Sequence, residues 1–305
     1  MSFIYKYIYK IFNKKKYLII KNNEILENKI KFYNKYSRKK ILKINKILQS
    51  KKTINFSHSG HLGDLIYSLL IIKKISEKKK CNLFIKLDKK INYHESHPNK
   101  NIMISKKNFN MLFPLLESQK YITNIKQHNK EKIDIDLDLF REMPFNVLFH
   151  SIRWYSHLTG VRADISEKFL TVKKNKKFKN KILILRTQRY KNYLINYKFL
   201  NKKKNLVFIG LKNEFLELKK EIKNLKFYNC KDFLEMAVAI NSCKFFIGNL
   251  NFAYAIAEGL KVQRLLENSP DFPVVYPIGK NGYDFYHQVH FEKYFKFLDN
   301  VNKKL

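Results

Sequence analysis

Glycine and arginine are scarce in this 305-residue chain, which has 8 glycines and only 7 arginines among its 62 basic residues. Proteins that bind nucleic acid favour arginine for two-pronged contacts with phosphates and bases, and no aromatic RNA-binding motif is present. The net charge of +37 is therefore more typical of lysine-rich solvated surfaces. We expect no nucleic-acid partner, and a basic nucleic-acid-binding protein stays as an alternative that only the charge supports.

Cysteine is scarce too, and long apolar runs are lacking. Cys81, Cys230 and Cys243 are too widely spaced for a CxxC metal pair or a disulfide framework, which suits a reducing compartment. No apolar run approaches the roughly 20 residues of a membrane span, and no charged–apolar–small signal opens the chain. We expect a cytoplasmic protein, either soluble or peripheral on the inner face of the membrane.

The hydrophobic content of 45% and the length are enough for two packed domains. Strand and helix patterns alternate on both sides of a lysine-rich connector, which predicts an α/β fold of two Rossmann-like doubly wound domains, each with a parallel sheet. We place the connector at 173–181 and the domains at 53–172 and 182–305. Ligands of such sheets bind at the carboxyl ends of the strands.

Residues 1–52 form a separate basic helical extension, with 16 Lys or Arg and 2 acidic residues. Apolar residues recur there at helical spacing, first within 3–12 and again within 41–48. A basic amphipathic helix of this kind can lie on an anionic membrane surface. It can equally dock its apolar stripe on the globular body, and the sequence leaves both possibilities open.

The stretch Thr53 to Ile72 (TINFSHSGHLGDLIYSLLII) predicts a strand, a turn and a helix, with the strand at Ile54 to Phe56. Gly60 and Gly63 in the turn allow the backbone to approach a ligand closely, and free N–H groups of the first helical turn face it. Asp64 follows at the mouth of the helix. It is either a functional carboxylate or a simple helix cap, because aspartate is favoured at helix N-termini.

The residues from His58 to Asp64 (HSGHLGD), followed by an apolar helix, resemble the opening motif of glycosyltransferase family 9, the heptosyltransferase-like enzymes of the GT-B fold. The resemblance implies that Asp64 is the catalytic base, with His61 as the second catalytic candidate. It also implies that His58 and Gly63 lie on the acceptor side of the site.

A second stretch, Phe246 to Leu260, resembles the donor-binding segment of the same family, in which a helix N-terminus receives a diphosphate. The family usually has an acid and a further glycine in this turn, whereas this chain has Asn249, Asn251 and Phe252. The implied donor-binding residues here and after the first strand of the second domain are Thr187, Arg189, Lys191, Gly248, Asn249, Asn251 and Glu258.

The resemblance implies a metal-independent, inverting sugar transfer from a nucleotide-diphosphate sugar to a glycan or lipid-linked acceptor, of the surface polysaccharide or lipopolysaccharide type. The nucleotide sugar is then a co-substrate, and no cofactor is expected. A non-catalytic relative that binds sugar nucleotides or glycans and has lost turnover is the alternative, because the donor turn departs from the family pattern.

The segment Ile133 to Phe140 (IDIDLDLF) alternates strictly, which predicts a strand with its aspartates on one face. Those aspartates are Asp134, Asp136 and Asp138. An EF-hand loop is excluded because Leu139 stands where glycine is needed. A DxD metal site has suitable spacing, but carboxylates at a strand edge facing a cleft explain the pattern better, so we expect no metal.

Lysine is the usual basic residue of this chain, so an arginine more often stands where a planar, two-pronged cation is required. Arg141 ends the acidic strand, and Arg153 lies in a predicted helix from Asn146 to Thr159 that also carries Trp154. Arginine beside aromatic rings suits an anionic, sugar-bearing ligand, since the rings can stack on sugar faces. We therefore assign Arg141 and Arg153 to acceptor binding, and buried ion pairs that hold the fold together stay open as the alternative for each.

Overall fold

The computed structural model of the chain describes residues 3–91, 99, 101–143, 150–272 and 274–301. It contains an N-terminal helical extension and two parallel sheets with helices between the strands. This confirms the predicted α/β class.

The N-terminal extension consists of helices α1 (Phe3–Phe12), α2 (Lys14–Phe32) and α3 (Arg38–Ser50). A π-helical stretch, Tyr33–Ser37, joins α2 to α3 without leaving helical backbone geometry. The resulting continuous helix of residues 14–50 is about 55 Å long, at 1.5 Å per residue. A single residue, Asn13, reverses the chain between the first two helices.

The two ends of this long helix have different surroundings. α1 folds back on α2, and Asn13 caps α2 by accepting a hydrogen bond from the backbone N–H of Lys16 at 2.9 Å. No residue of α2 is buried. α3 packs on the body of the protein, where Ile44 is buried and Lys40 pairs with Glu142. α1 therefore packs on another part of the extension through its Lys6 and Tyr9 side, while Ile8, Ile11 and Phe12 stay exposed.

The first sheet has four parallel strands in the order β3-β2-β1-β4. They are β1 (Thr53–His58), β2 (Lys80–Ile85), β3 (Asn124–Gln127) and β4 (Ile135–Asp136), and the helices that follow them include α4 (Leu62–Ser76), α5 (Lys106–Glu117) and α6 (Ile152–Thr159). The predicted strand–turn–helix at 53–72 is confirmed. α4 is buried along most of its length because its sequence is apolar on nearly every face.

Of the predicted strand Ile133 to Phe140, only Ile135 and Asp136 pair in the sheet. Pairing stops after Asp136, whose side chain accepts from the N–H of Asp138 at 3.1 Å and starts a 3₁₀ helix at Leu137–Glu142. The aspartates therefore do not share one strand face. Helix α6 begins at Ile152, later than predicted, and the predicted helical residues 146–149 lie outside the described residues.

The second sheet has six parallel strands in the order β10-β9-β8-β5-β6-β7, the strand order of a complete doubly wound dinucleotide-binding fold. The strands are β5 (Ile182–Leu185), β6 (Leu206–Ile209), β7 (Lys226–Tyr228), β8 (Phe245–Asn249), β9 (Arg264–Glu267) and β10 (Gly282–Phe285), and the helices are α7 (Lys212–Glu221), α8 (Phe233–Ser242), α9 (Phe252–Leu260) and α10 (Gln288–Val301). β5, β6 and β8 are buried on both faces, which explains their uninterrupted apolar sequences.

Helices of the two sheets pack directly on each other, α4 against α9 and α5 against α8. As a result, the buried apolar residues of both halves form one continuous hydrophobic core. A Cβ atom placed on Gly63, in the first turn of α4, would lie 3.8 Å from the Cβ of Ala255 in the first turn of α9. The contact brings the N-termini of both helices to the same cleft.

Candidate active site between the two sheets

The cleft is formed where the strand order of each sheet reverses, between β1 and β4 and between β5 and β8. In open α/β sheets this switch point leaves a crevice at the carboxyl ends of the strands, where ligands bind. The motif after β1 lies at the first crevice, and the segment after β8 lies at the second. Both of the motifs singled out in the sequence are therefore at ligand-binding positions of the fold.

The turn after β1 is held by a buried histidine. His58 is fully buried; its Nδ1 accepts a hydrogen bond from the N–H of Gly60 at 3.0 Å, so its proton lies on Nε2, 3.1 Å from the Tyr155 hydroxyl. That hydroxyl donates to the backbone carbonyl of Asp64 at 2.8 Å. Burial lowers the pKa of His58, an effect that the Asp138 carboxylate partly opposes. His58 thus shapes the turn as a neutral ring and does not face the acceptor side as expected.

Gly60 is required by the same turn. Its φ of +140° disfavours any side chain, and a Cβ there would lie 2.5 Å from the Cβ of Met103. The scarce glycines of the motif therefore serve the backbone. Gly63, predicted on the acceptor side, lies at the contact between α4 and α9.

Asp64 is held by an arginine that comes from the other side of the crevice. Its Oδ2 accepts a hydrogen bond from Nη2 of Arg141 at 2.6 Å, and the same nitrogen donates to the Gly60 carbonyl at 2.7 Å. The side chains of Asp64 and Arg141 are 16% and 25% exposed, so the pair is desolvated but reachable from the cleft. Burial alone would lower the pKa of Arg141, and the Asp64 carboxylate helps to raise it.

Asp138 bonds to both the turn after β1 and Arg141, and so holds them in place. One of its oxygens accepts from the Ser59 N–H at 2.6 Å and the Ser59 hydroxyl at 2.5 Å, and the other is 3.4 Å from Nε of Arg141. These partners, together with His58, keep the pKa of Asp138 below its usual value although burial raises it. Asp138 is thus a structural carboxylate, and Arg141 is positioned for Asp64.

His61 is the N-cap residue of α4, the helix that packs on α9. Burial lowers its pKa, Asp64 opposes that change, and Arg141 and Arg189 lower the pKa further. The contact of Gly63 with Ala255 brings the start of α4, which carries His61 and Asp64, against the start of α9. The predicted catalytic pair therefore lies at the end of α4 that meets the N-terminus of α9.

The turn after β8 is braced by asparagine side chains. Oδ1 of Asn249 accepts from the Thr187 N–H at 2.9 Å, and its Nδ2 donates to the Thr187 carbonyl at 2.8 Å. Asn251 caps α9 by accepting from the N–H of Tyr254 at 2.9 Å and donates to the carbonyl of Leu185 at 3.0 Å. Asn249 is fully buried. It positions the loop after β5, and Asn251 presents the helix N-terminus.

Gly248 is needed for the close approach of β8 to β5. A Cβ there would lie 3.1 Å from the Leu185 carbonyl oxygen and 2.8 Å from the Phe246 ring. The glycine permits β5 and β8 to pair closely at the switch point.

The loop after β5 is shaped by a buried ionic cluster. Arg186 pairs with Glu267 through Nε at 2.7 Å and Nη2 at 2.9 Å, and Nη2 also donates to the carbonyls of Asn192 and Ile195. Glu267 accepts further bonds from the Tyr197 hydroxyl at 2.9 Å and the Asn192 N–H at 2.7 Å. The residues between Arg186 and Tyr197, which carry the predicted donor-binding cations, are therefore held in one shape.

At the tip of this loop, Arg189 is exposed and its guanidinium lies 5.4 Å from the centre of the Tyr190 ring. Tyr190 in turn stacks on Phe272, with ring centres 5.5 Å apart. Burial raises the pKa of Tyr190, an effect that Arg189 opposes and Asp64 reinforces. Lys191 follows in the same loop and helps to lower the pKa of Glu217 in α7, on which Lys220 has the larger effect.

Two predicted site residues are not in the cleft. Glu258 is fully buried, with Oε2 accepting from Nε of Arg264 at 2.5 Å and Oε1 paired with Lys261, so it does not reach a ribose as expected. Arg153 is exposed on α6 two residues before Tyr155, hence about 200° around the helix from the ring that contacts Asp64. It lines a separate cavity of about 540 Å³ with Arg162 and Asp164.

Sequence reasoning missed Glu214, in the first turn of α7 at the carboxyl end of β6. Burial raises its pKa to about 7, opposed by the Leu211 N–H and by Arg189. In doubly wound folds an acidic residue after the second strand commonly binds ribose hydroxyls. The position of Glu214 shortly after the second predicted strand of this domain could therefore have identified it from the sequence. The ring pair of Tyr190 and Phe272 had no signal, because it joins two distant loops.

The acidic segment is dispersed over separate partners. Asp134 pairs with Lys51, Asp136 lies 2.7 Å from the Lys86 ammonium, and Asp138 binds Ser59. Across the described residues, no group of three or more His, Cys, Asp or Glu is arranged to hold a metal ion. None of the helices in the described ranges is long and apolar enough to cross a membrane.

Two doubly wound parallel sheets whose switch-point turns meet across one cleft define the GT-B class of glycosyltransferase folds. The comparison with solved structures confirms this: E. coli heptosyltransferase WaaC with ADP matches over 81% of this chain and 99% of its own, with a TM-score of 0.51 and 8% identity. The resemblance inferred from the two motifs is thereby confirmed as a likeness of fold.

Two further structures match at lower TM-scores. The E. coli ADP-heptose lps heptosyltransferase II has a TM-score of 0.46 and 11% identity, with 83% of this chain and 100% of that one covered. A glycosyl transferase family 9 structure from Veillonella parvula has a TM-score of 0.45 and 12% identity, with 81% and 89% covered. No protein-family model matches the sequence, and no curated protein matches it.

Proposed function

We propose that this chain is a glycosyltransferase that moves a sugar from a nucleotide-diphosphate donor to an acceptor hydroxyl, with inversion at the anomeric carbon. The observation that carries the proposal is the packing of the first turn of α4, which carries Asp64, on the first turn of α9, whose N-terminus can bind an anion. This packing supports a base on one side of the transferred sugar and an anion site on the other. The ADP in the E. coli heptosyltransferase of the same fold supports a nucleotide donor.

In the proposed reaction the Asp64 carboxylate takes the proton of the acceptor hydroxyl while that oxygen attacks the anomeric carbon. The bond from this carbon to the diphosphate oxygen breaks on the opposite face, and the electron pair leaves with the nucleoside diphosphate. Arg141 holds the carboxylate toward the cleft through the 2.6 Å bond to Oδ2, which leaves Oδ1 to receive the proton. Orientation of this kind lowers the entropic cost of the reaction.

In this proposal positive groups of the protein stabilise the leaving diphosphate, and the transfer therefore needs no metal. The N-terminus of α9 carries a partial positive charge and N–H groups that bind anions, and Arg189 adds a planar two-pronged cation. Preorganised charge at a developing negative charge is the main means of lowering such barriers. Transfer is accordingly expected to continue in excess EDTA.

The acceptor proposed here is a glycan or lipid-linked glycan of the surface polysaccharide or lipopolysaccharide type, met peripherally at the inner face of the membrane. The motif resemblance supports this choice. A sugar-binding relative without turnover is the second candidate, favoured by the loss of the acid and glycine from the donor turn. It would bind nucleotide sugars and release no nucleoside diphosphate in the presence of acceptor extracts.

The first test is thermal stabilisation by ADP, UDP and GDP, compared with the matching nucleosides and with pyrophosphate. At about 100 times its dissociation constant a ligand stabilises the folded state by about 2.7 kcal/mol. We expect one nucleoside diphosphate to raise the melting temperature clearly and its nucleoside to raise it little. If none of the three raises it, the chain does not have the proposed donor site.

Glu214 gives a prediction for pH. If its carboxylate accepts the ribose hydroxyls, binding needs the ionised form, which with a pKa of about 7 is in the minority at pH 6 and predominant at pH 8. The preference for a ribonucleoside diphosphate over its 2′-deoxy form is therefore expected to grow several-fold between these pH values. Phosphate ionisation cancels in this ratio.

The matched variant is Glu214→Gln, in which the preference is expected to be small and independent of pH. Titration calorimetry of both nucleotides at three pH values measures it. A pH-dependent preference that persists in the variant would show that another group contacts the ribose.

A further inference from the structure

The apolar surface of this protein is concentrated on its N-terminal extension. Of the 21 large apolar side chains exposed in the described part of the chain, 14 lie between Tyr5 and Leu42. The same extension carries 16 basic and 2 acidic residues. We propose that the helical arm of residues 3–36 docks on the surface of an anionic lipid bilayer.

The geometry of α1 suits a helix that lies in the headgroup region. Tyr5, Ile8 and Phe12 share one face at spacings of three and four residues, and Phe12 is 81% exposed. Ile11 lies beside this face and is 73% exposed. Amphipathic helices that bind membranes insert such an apolar face at the boundary of headgroups and acyl chains.

α2 extends the same surface away from the body. Its exposed apolar residues include Leu18, Ile19, Ile25, Leu26 and Ile30, and the only acidic residues of the extension lie within it. One of them, Glu24, is paired with Lys6 of α1. That ion pair and the packing of α1 on α2 make the arm a helical hairpin with exposed lysines, among them Lys14 and Lys15.

The arm is attached firmly at its other end. α3 packs against α6, and α6 carries Tyr155, whose hydroxyl contacts the backbone of Asp64. The arm therefore projects from the half of the molecule that holds the candidate base. Docking on a bilayer through the arm would hold that half near the surface.

Charge and apolar exposure together select the partner. A second copy of the arm is disfavoured because both would be strongly positive. Nucleic acid would satisfy the lysines, but a phosphate backbone would leave Ile11 and Phe12 in water. An anionic lipid surface binds both the lysines and the apolar side chains. It attracts basic residues within a Debye length of about 8 Å at physiological salt, and the headgroup region accepts the apolar face.

Co-sedimentation of the full chain with vesicles tests the inference. The vesicles are phosphatidylcholine with roughly one third phosphatidylglycerol, or phosphatidylcholine alone, at about 0.15 M salt. We expect binding to the anionic vesicles at least roughly tenfold stronger than to the neutral ones, and weaker at higher salt. Equal binding to both, or none, would overturn the proposal.

Two triple variants and their controls locate the surface. All replaced side chains are exposed or lie outside packed contacts of the body, so the fold is kept, which the melting temperature verifies. The arm variants are Ile8→Ser with Ile11→Ser and Phe12→Ser, and Lys14→Gln with Lys15→Gln and Lys16→Gln. The controls on the second domain are Leu216→Ser with Val289→Ser, and Lys202→Gln with Lys204→Gln and Lys226→Gln.

Each arm variant is expected to lose roughly tenfold in vesicle binding, and each control to bind like the unchanged chain. Equal losses in arm variants and controls would mean unspecific adsorption and would overturn the proposal. A dimer that forms through the arm in sedimentation velocity would also overturn the proposal. RNA binding that the apolar arm variant weakens as much as the lysine variant does would overturn it too. No substrate is present in these measurements, so their outcome is independent of the proposed sugar transfer.

Discussion

Replacing Asp64 with asparagine is expected to lower sugar transfer by roughly 10²–10⁴-fold while nucleotide affinity is unchanged. Asparagine has the same shape but cannot take a proton, so only the proposed base step is lost. Arg141 retains the Gly60 carbonyl and Asp138 as partners, and the turn is expected to keep its shape. The measurement is release of nucleoside diphosphate from a nucleotide sugar in the presence of a bacterial lipid and glycan extract.

The control for this variant is Asp164→Asn, the same change at an exposed carboxylate that bonds only to the neighbouring Ser166. It is expected to leave transfer unchanged. Near-normal transfer by the Asp64 variant would contradict its role as base and turn attention to His61. His58 could not replace Asp64 as the base, because its ring is fully buried and bonded to Gly60 and Tyr155.

Replacing Arg189 with alanine is expected to weaken binding of the nucleoside diphosphate by about 1.5–3 kcal/mol, the scale of a charged hydrogen bond. The free nucleoside, which lacks the diphosphate, is expected to lose far less. Arg189 is exposed at a loop tip, while Arg186 holds the loop from beneath, so its removal does not disturb the buried cluster. Titration calorimetry with both ligands measures the difference.

Arg162→Ala is the matched control, since it removes an exposed arginine that lines the separate cavity beside α6. It is expected to change neither affinity. If the Arg189 variant lost equal affinity for nucleoside and nucleoside diphosphate, the residue would be structural. The diphosphate would then have to be held by the N-terminus of α9 without it.

Local sequence predicted the elements that are buried on both faces. The strand–turn–helix at 53–72 and most elements of the second sheet were found because apolar runs and glycine turns mark them. The edge strand Gly282–Phe285 is only partly buried and therefore lacks such a run. The alternation of Ile133–Phe140 predicted a strand wrongly, because the capping bond of Asp136 ends the pairing after two residues.

The role of a polar residue depends on what tertiary packing brings to it. Glu258 follows the donor turn as a ribose-binding residue might be expected to, but Arg264, six residues later, takes its carboxylate into the core. His58 and Asn249 belong to the predicted motifs, yet both are buried braces. Conversely, Arg141 was predicted on the acceptor side without a partner. Its 2.6 Å bond to Asp64 depends on the pairing of β4 with β1, which the sequence alone does not show.

In the proposed function, a nucleoside diphosphate binds in the cleft between the two sheets with its diphosphate between Arg189 and α9. The most direct test is a crystal structure of the chain with the nucleoside diphosphate that gives the largest thermal stabilisation. We expect phosphate oxygens within hydrogen-bond distance of the Arg189 guanidinium and of the N–H groups at the start of α9, with the terminal phosphate pointing toward Asp64. A nucleotide bound in the cavity beside α6, or one in the cleft with its diphosphate directed away from Asp64, would contradict the account.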